Sequence, residues 1–448
     1  MDLNENVLID NFTANSCYSQ IQGAGIYALY LYDLKIINSF FVQNEIENNG
    51  AGIAVIASFY IQIINNQFIE NIAYLGAGLN IFISEYITIK NNLFYKNFAL
   101  QVGGGMTQEL CYDTQIINNK FQYNYSKNEG GAIGSLANYN YTVENCIFID
   151  NQSIEGGSIS IIDYSTEEIT QYIFFKDLHF ENNYAFEKGG AIEIKGGAIF
   201  IQFTMKTLIL NSLAEQNYVN QNGGLICIQD SQQLILQSNT ILNNTAFYGG
   251  AIYMFQLDNF TMDQTQIQNN QALVQGGGGG IFIEAQDKDV KLIFENLEFD
   301  GNKALSGTSL CILSNNKDQI DIKQFQNVTI QNDHGYLGLI RYLGPNQNLK
   351  NKLIIEEKNN KLIYYPENRT DESIYNCVKC YENTVCPGQY QKNYPQKGYW
   401  RENQDTYEYI QCKNDQSQCL GNDTCAEGYT GVLCDQQISC NIYAYVLK

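Results

Sequence analysis

The chain has 448 residues, is 44% hydrophobic but only 16% charged, and carries a formal net charge of −21. So acidic a chain repels phosphate backbones, which excludes nucleic acid as a partner class. It has no stretch approaching the roughly 18–20 apolar residues that a membrane-spanning helix needs.

The acidity is uneven. Residues 1–345 hold 15 basic and 34 acidic side chains, a net of −19, whereas 346–448 hold 11 and 13, a net of −2. Met1–Asp10 is acidic, lacks the features of a secretory signal and leads straight into repeated material. The expectation is a fragment, or a gene frame started too late, that begins inside a repeat array.

That array runs from near residue 12 to near 339 and is clearest in 116–133, IINNKFQYNYSKNEGGAI. The apolar residue closing each glycine motif recurs as Ile26, Ile53, Leu79, Met106, Ile133, Ile159, Ile192, Ile226, Ile252, Ile281, Leu310 and Leu339. A period in this range marks a solenoid, here of about 12 rungs. An apolar centre recurs as Phe41, Phe68, Phe94, Phe121, Phe148, Phe180, Ala214, Ile241, Ile267, Phe299 and Ile330. Three residues later stand Asn44, Asn71, Asn97, Asn124, Asn151, Asn183, Asn217, Asn244, Asn270, Asn302 and then Asp333. Three residues earlier runs a second polar file, from Asn38 and Asn65 to Asn327. Asn tolerates the left-handed backbone of a corner, and stacked amides can form a ladder. The glycine pairs suit another corner, where a Cβ would crowd. Position two after the closing residue is mostly apolar, which places both on the inner face of a strand. Gln108 and Ser135 interrupt that file.

Two intervals after Ile159 are about seven residues too long for the period. The extra length is expected as surface loops, near Asp163–Thr170 and between Gly196 and Thr207, where Gly196-Gly197-Ala198-Ile199 duplicates the motif beside it. Residues 1–345 are thus read as a coil of parallel β-strands and 346–376 as a cap or linker. Residues 377–440 form a Cys-rich module, and 441–448 are a truncated C-terminal end.

In that module Cys377, Cys380, Cys386, Cys412, Cys419, Cys425, Cys434 and Cys440 crowd a loop-rich segment. An even count in such a setting reads as a disulfide framework. Zinc is the weaker reading, because no cysteine or histidine set of standard spacing answers Cys377-x-x-Cys380. Cys17, Cys111, Cys146, Cys227 and Cys311 stand singly in the array. Cys227 and Cys311 share an outward position three rungs apart, about 14 Å at strand spacing. That is too far for a disulfide, so they should be free thiols.

The phrases Gly-Gly-Ala-Ile and Phe-x-x-Asn resemble the repeat of chlamydial polymorphic outer-membrane proteins. Phe121-x-x-Asn124 with Gly130-Gly131-Ala132-Ile133 matches most fully, whereas Ala214 and Ser309 depart. The resemblance implies an all-β, right-handed parallel β-helix of the pectin-lyase-like kind, used for surface display and adhesion. That family's C-terminal β-barrel is missing here, so outer-membrane secretion does not carry over. Cys425-Ala-Glu-Gly428-Tyr429-Thr-Gly431-Val-Leu-Cys434 is similar to the closing loop of an EGF module, without its preceding C-x-C. Gly398-Tyr399-Trp400-Arg401 followed by such a loop resembles the juxtamembrane tails of large ciliate surface proteins. This implies a small disulfide-rich EGF-like module and membrane spans beyond Lys448.

Three functions compete. The first is a non-enzymatic ectodomain at the cell surface that binds a protein or carbohydrate ligand. It would meet the membrane only through segments absent from this chain. The second is a polysaccharide lyase or glycoside hydrolase. It lacks paired carboxylates of the expected kind, and Asp333-His334-Gly335 only echoes the Gly-His-Gly of polygalacturonases, without their Arg-x-Lys. The third is a cytosolic leucine-rich-repeat-like scaffold. Its diagnostic column, Ser39, Asn66, Asn92, Asn119, Cys146, Leu178, Ser212, drifts, and Gly-Gly with β-branched residues opposes its helix. No catalytic, cofactor-binding or metal-ligating constellation stands out. Nine Asn-x-Ser/Thr sequons occur. Asn124, Asn151 and Asn327 are expected to be inaccessible in the array, which leaves Asn368 and Asn422 as the better glycosylation candidates.

Overall fold

The structure is a computed structural model. It describes residues 4–343 except 22, 163–171, 186–197, 274–276, 286–288, 315–319 and 334–339, and short stretches of the tail between 384 and 437. The chain divides into two compact units, Met1–Tyr365 and Pro366–Lys448.

Among the described residues of the first unit, the first ten rungs contribute four strands each and the last two contribute three. The fifth rung shows the pattern: Tyr112–Ile117, Lys120–Gln122, Tyr125–Ser126 and Ile133–Leu136. Stacking the rungs builds three parallel sheets of 12 strands and one of 10. No α-helix occurs among the described residues, which rules out the leucine-rich-repeat architecture for the described rungs.

The register is what the columns require. Phe68 pairs with Phe94, Phe94 with Phe121 and Phe121 with Phe148. Their rings stack inside the coil at centroid separations of 4.7, 4.6 and 5.0 Å, nearly parallel. With them, Ile87 and Ile89 of one strand and Leu79 and Ile81 of another are fully buried. Alternation along each strand turns every second side chain inward, so the core is a continuous apolar column.

The corners after the first, second and fourth strands share one device. A residue in the left-handed region is followed by one whose side chain points inward and accepts a backbone N–H from the rung before. At the corner after the phenylalanine strand, Gln43, Glu70, Lys96 and Tyr123 have φ between 52° and 57°. Each is followed by a buried Asn. The Asn97 N–H and its Nδ2 both donate to Asn124 Oδ1, at 3.1 and 3.0 Å. Asn124 Nδ2 in turn donates to the Phe94 carbonyl at 3.0 Å. The file runs unbroken from Cys17, whose N–H donates to Asn44, through Asn302 to Asp333. A chain leaving the strand ladder would otherwise bury an unpaired N–H at each bend, at about 1–3 kcal/mol apiece.

The second polar file occupies a different place. Asn38, Asn65, Asn91 and Asn118 are themselves the left-handed residues, with φ from 52° to 57°. Their side chains lie at the surface, where Asn91 Nδ2 donates to Asn65 Oδ1 at 3.1 Å. The buried acceptors are one position later, in the drifting column. Ser39 N–H donates to Asn66, Asn66 to Asn92, Asn92 to Asn119 and Asn119 to the Cys146 sulfur. That column drifts in sequence because hydroxyl, amide and thiol all serve as acceptors there, and at Leu178 a buried apolar side chain takes the place of an acceptor. Asn327 belongs to the outer file and is exposed, so burial does not shield it; Asn124 and Asn151 are fully buried.

Two expectations about rung boundaries change. The strand Ile199–Gln202, not Ile192, pairs with Ile159–Ile162 below and Ile226–Gln229 above. Ile159 to Ile199 spans 40 positions and Ile199 to Ile226 only 27, so one long turn replaces two. Its extra residues, 163–171 and 186–197, precede Ile199 and lie outside the described residues, as does Ile192 itself. Of two identical phrases, the one whose closing residue stands a regular interval from Ile226 forms the strand.

Gln108 and Ser135 also find an account. Gln108 Nε2 reaches Thr114 Oγ1 at 3.3 Å, and Asn138 Nδ2 donates to Ser135 Oγ at 2.7 Å. They form a buried polar island across two rungs, beside Cys111 and Tyr141. The glycine corner is steric. Gly130 has φ +59°, and a Cβ on Gly131 would stand 2.1 Å from the Gly157 carbonyl oxygen of the next rung.

Two outcomes follow. Asn124→Ala strands two donors of Asn97 and should lower unfolding free energy by about 3 kcal/mol, against about 1 kcal/mol for Asn118→Ala on the surface. Denaturant melts compare them. At the last described corner Asp333 accepts from the Asn302 N–H at 2.7 Å and from Ser309 Oγ at 2.6 Å. Burial raises its carboxyl from 3.8 to about 6. The folded state therefore holds that proton more tightly than the unfolded chain, and stability falls as pH rises from about 4 to about 6. Asp333→Asn should abolish that fall and raise the melting temperature at pH 7, measured by thermal melts at both pH values.

Candidate functional site

With the inside of the coil filled, chemistry is left to the outward columns. On the fourth strand, from the second rung to the eleventh, even the outward column is covered, whereas Tyr27 of the first rung is exposed. Ala54, Asn80, Thr107, Ser160, Phe200, Cys227, Tyr253, Phe282 and Cys311 are all buried. Cys227 and Cys311 pack with Phe200, Tyr253 and Phe282 in a second apolar stripe. In-register pairing keeps these two cysteines three rungs apart. All five solenoid cysteines are free. Burial pushes the Cys111, Cys146 and Cys311 thiols up to about 12, so none is a nucleophile at neutral pH.

The first strand and the corner before it present the opposite surface. Tyr32, Tyr60, Tyr86 and Tyr112 are 41–45% exposed. Tyr32 meets Tyr60 edge-on at 5.1 Å, Tyr60 stacks on Tyr86 at 4.8 Å, and Tyr112 stacks on Tyr139 at 4.6 Å. Tyr30, Ile83 and Leu110 line the adjacent corner, exposed as well. The result is a stripe of ring edges across five successive rungs. Few charges enter it: Asp33, Glu85 and Asp113 are the acidic members of these columns.

A second cluster lies on the outer face of the phenylalanine sheet. His179 and Glu181 are two apart on one strand, and Glu215 pairs with Glu181 from the next rung. His179 Nε2 stands 3.0 Å from Glu215 Oε1 and 3.9 Å from Glu181 Oε2. One donor atom from each lies within 4.8 Å of the others, so this trio could hold a cation. Linear spacing hides it, since 34 residues separate Glu181 from Glu215. Aligning the rungs reveals it, because both glutamates follow the central residue, Phe180 or Ala214.

Other candidates are accounted for differently. Asp333 is a ladder acceptor with 8% exposure, and His334 lies outside the described residues. In the tail, Cys412 and Cys419 form a disulfide with Cα atoms 6.5 Å apart, packed with Trp400 and Tyr429. Cys425 is also disulfide-bonded. Antiparallel pairs join Tyr399–Arg401 to Tyr409–Gln411 and Cys419–Gly421 to Thr424–Cys425. Cys377, Cys380, Cys386, Cys434, Cys440, Asn368 and Asn422 lie outside the described residues. No helix among the described residues is long and apolar enough to cross a membrane.

Among known proteins, no curated sequence and no solved structure matches the chain. The family described as a right-handed β-helix region matches residues 1–185 and 171–332. Those two spans cover most of the stacked rungs, and the chain belongs to the right-handed parallel β-helix family.

Proposed function

We propose that this β-helix is a non-enzymatic display rod, the extracellular part of a larger membrane-anchored protein, and that it binds a protein or carbohydrate ligand along its tyrosine stripe. The observation that carries this reading is the run of exposed rings at Tyr32, Tyr60, Tyr86 and Tyr112, held one rung apart by the core beneath. Tyrosine brings apolar area and a hydroxyl at small entropic cost, which suits it to contact surfaces. The backbone beneath is fixed by parallel pairing on both sides, so the stripe is ordered before any ligand arrives. The tail disulfide is consistent with an oxidising compartment. The resemblances to polymorphic outer-membrane proteins and to ciliate surface proteins with EGF-like tails point to the same use.

The test is adhesion of the purified chain to immobilised polysaccharides and to cell surfaces, beside a Tyr60→Ala, Tyr86→Ala double variant. Both rings are exposed, so folding should survive. Binding should weaken by about tenfold, from roughly 0.5–1 kcal/mol per ring. Release of new reducing or unsaturated sugar ends by the same preparation would establish the lyase or hydrolase reading instead.

A further inference from the structure

The histidine–carboxylate cluster has two features that the display rod does not use. First, Glu181 and Glu215 are direct cross-strand partners, and like charges so placed repel. Their nearest neighbours in the same outward columns are uncharged. Ile149 precedes Glu181, Leu242 follows Glu215, and Ile147 and Leu213 flank His179. The only nitrogen-bearing side chain within these positions is the His179 ring, within 3.9 Å of both carboxylates. Second, the side chains are half-buried, with 31%, 33% and 29% exposure for His179, Glu181 and Glu215. An apolar collar around two opposed carboxylates raises the cost of leaving them uncompensated.

The donor set identifies what would compensate them. One imidazole nitrogen with two carboxylate oxygens suits zinc and its transition-metal neighbours. Calcium needs six to eight oxygens, more than this cluster offers. A tetrahedral zinc with arms of about 2.0–2.2 Å sets its donors about 3.4 Å apart. The separations of 3.0 and 3.9 Å from His179 bracket that value, so modest rotation of the glutamates would suffice. The strand bases need not move. His179 and Glu181 are held by alternation on one strand, and Glu215 by register on the next.

We infer that His179, Glu181 and Glu215 form a zinc-binding site on the outer face of the phenylalanine sheet. Three protein donors leave the fourth position open to water or to a ligand atom. The site joins two consecutive rungs: His179 and Glu181 lie on the long turn from Ile159 to Ile199, and Glu215 on the turn after it. Zinc bound there clamps these rungs together.

The experiment uses the whole chain, stripped with a chelator that leaves disulfides intact and then titrated with zinc chloride by calorimetry. Variants His179→Ala and Glu215→Gln are titrated alongside, with circular dichroism to verify the β-fold. One saturable zinc per chain is expected from this site. Each variant should weaken that binding by about 100-fold or more, since losing even an outer-shell partner costs 10–100-fold. Zinc should also raise the melting temperature of the parent but not of His179→Ala. Absence of saturable zinc binding would overturn the inference. So would zinc binding that both folded variants retain, which would place the metal at the tail cysteines, or saturable calcium binding in its place.

Discussion

At each bend of the coil the backbone leaves the strand ladder, and its N–H must find an acceptor without water. At most bends a side-chain oxygen from the next rung supplies it; Cys146 offers its sulfur, and at the glycine corner a backbone carbonyl of the next rung serves. In the longest file Asn71, Asn97 and Asn124 each accept two hydrogen bonds from the rung before and return one to a central carbonyl. Because the acceptor lies one rung away, a rung out of register would leave several buried donors unpaired at once. The same vertical constraint forces Phe onto Phe in the core and glycine onto glycine at the tight corner. Sheet pairing, core stacking and corner bonding are thus three readings of one requirement, that equivalent residues superpose.

Superposition also dictates where function can reside. Inward columns are committed to packing, and the outward column of the fourth strand is itself buried from Ala54 to Cys311. What remains are chiefly the outer faces of the first three strands, where a residue repeated from rung to rung becomes a continuous strip. Tyrosine so repeated gives the exposed ring edges of the early rungs. A single carboxylate repeated once, beside a histidine, gives the cluster at Glu181 and Glu215. Each is a surface feature made by stacking, and neither exists within one rung.

Much of this was legible in the chain because the constraint leaves a periodic trace. A Phe three residues before an Asn recurs where only an aromatic centre and an amide acceptor fit. Legibility failed where the constraint is looser. The corner after the first strand accepts Ser, Asn, Thr or Cys, so its column looks disordered although it is equally structural. Two copies of Gly-Gly-Ala-Ile satisfy the same local rule, and only distance to the following rung selects Ile199. Gln108 and Ser135 break the apolar pattern because their partners, Thr114 and Asn138, come from neighbouring strands of the same coil. His179, Glu181 and Glu215 escaped a search for local motifs, since their proximity depends on rung alignment. The tail carries no period, and its cysteine count gave a chemistry without a pairing.

Residue-resolved hydrogen exchange tests the vertical stacking most directly. If side-chain oxygens cap the corners, the backbone amides of Asn71, Asn97, Asn124, Asn151, Asn183, Asn217 and Asn244 exchange as slowly as the strand amides beside them. They should also exchange at similar rates along the coil, because each donates to an equivalent buried acceptor. Exchange of Asn97, Asn124 and Asn151 at the rate of exposed loop amides would show that the corners are open to water, and the account of this fold would fail.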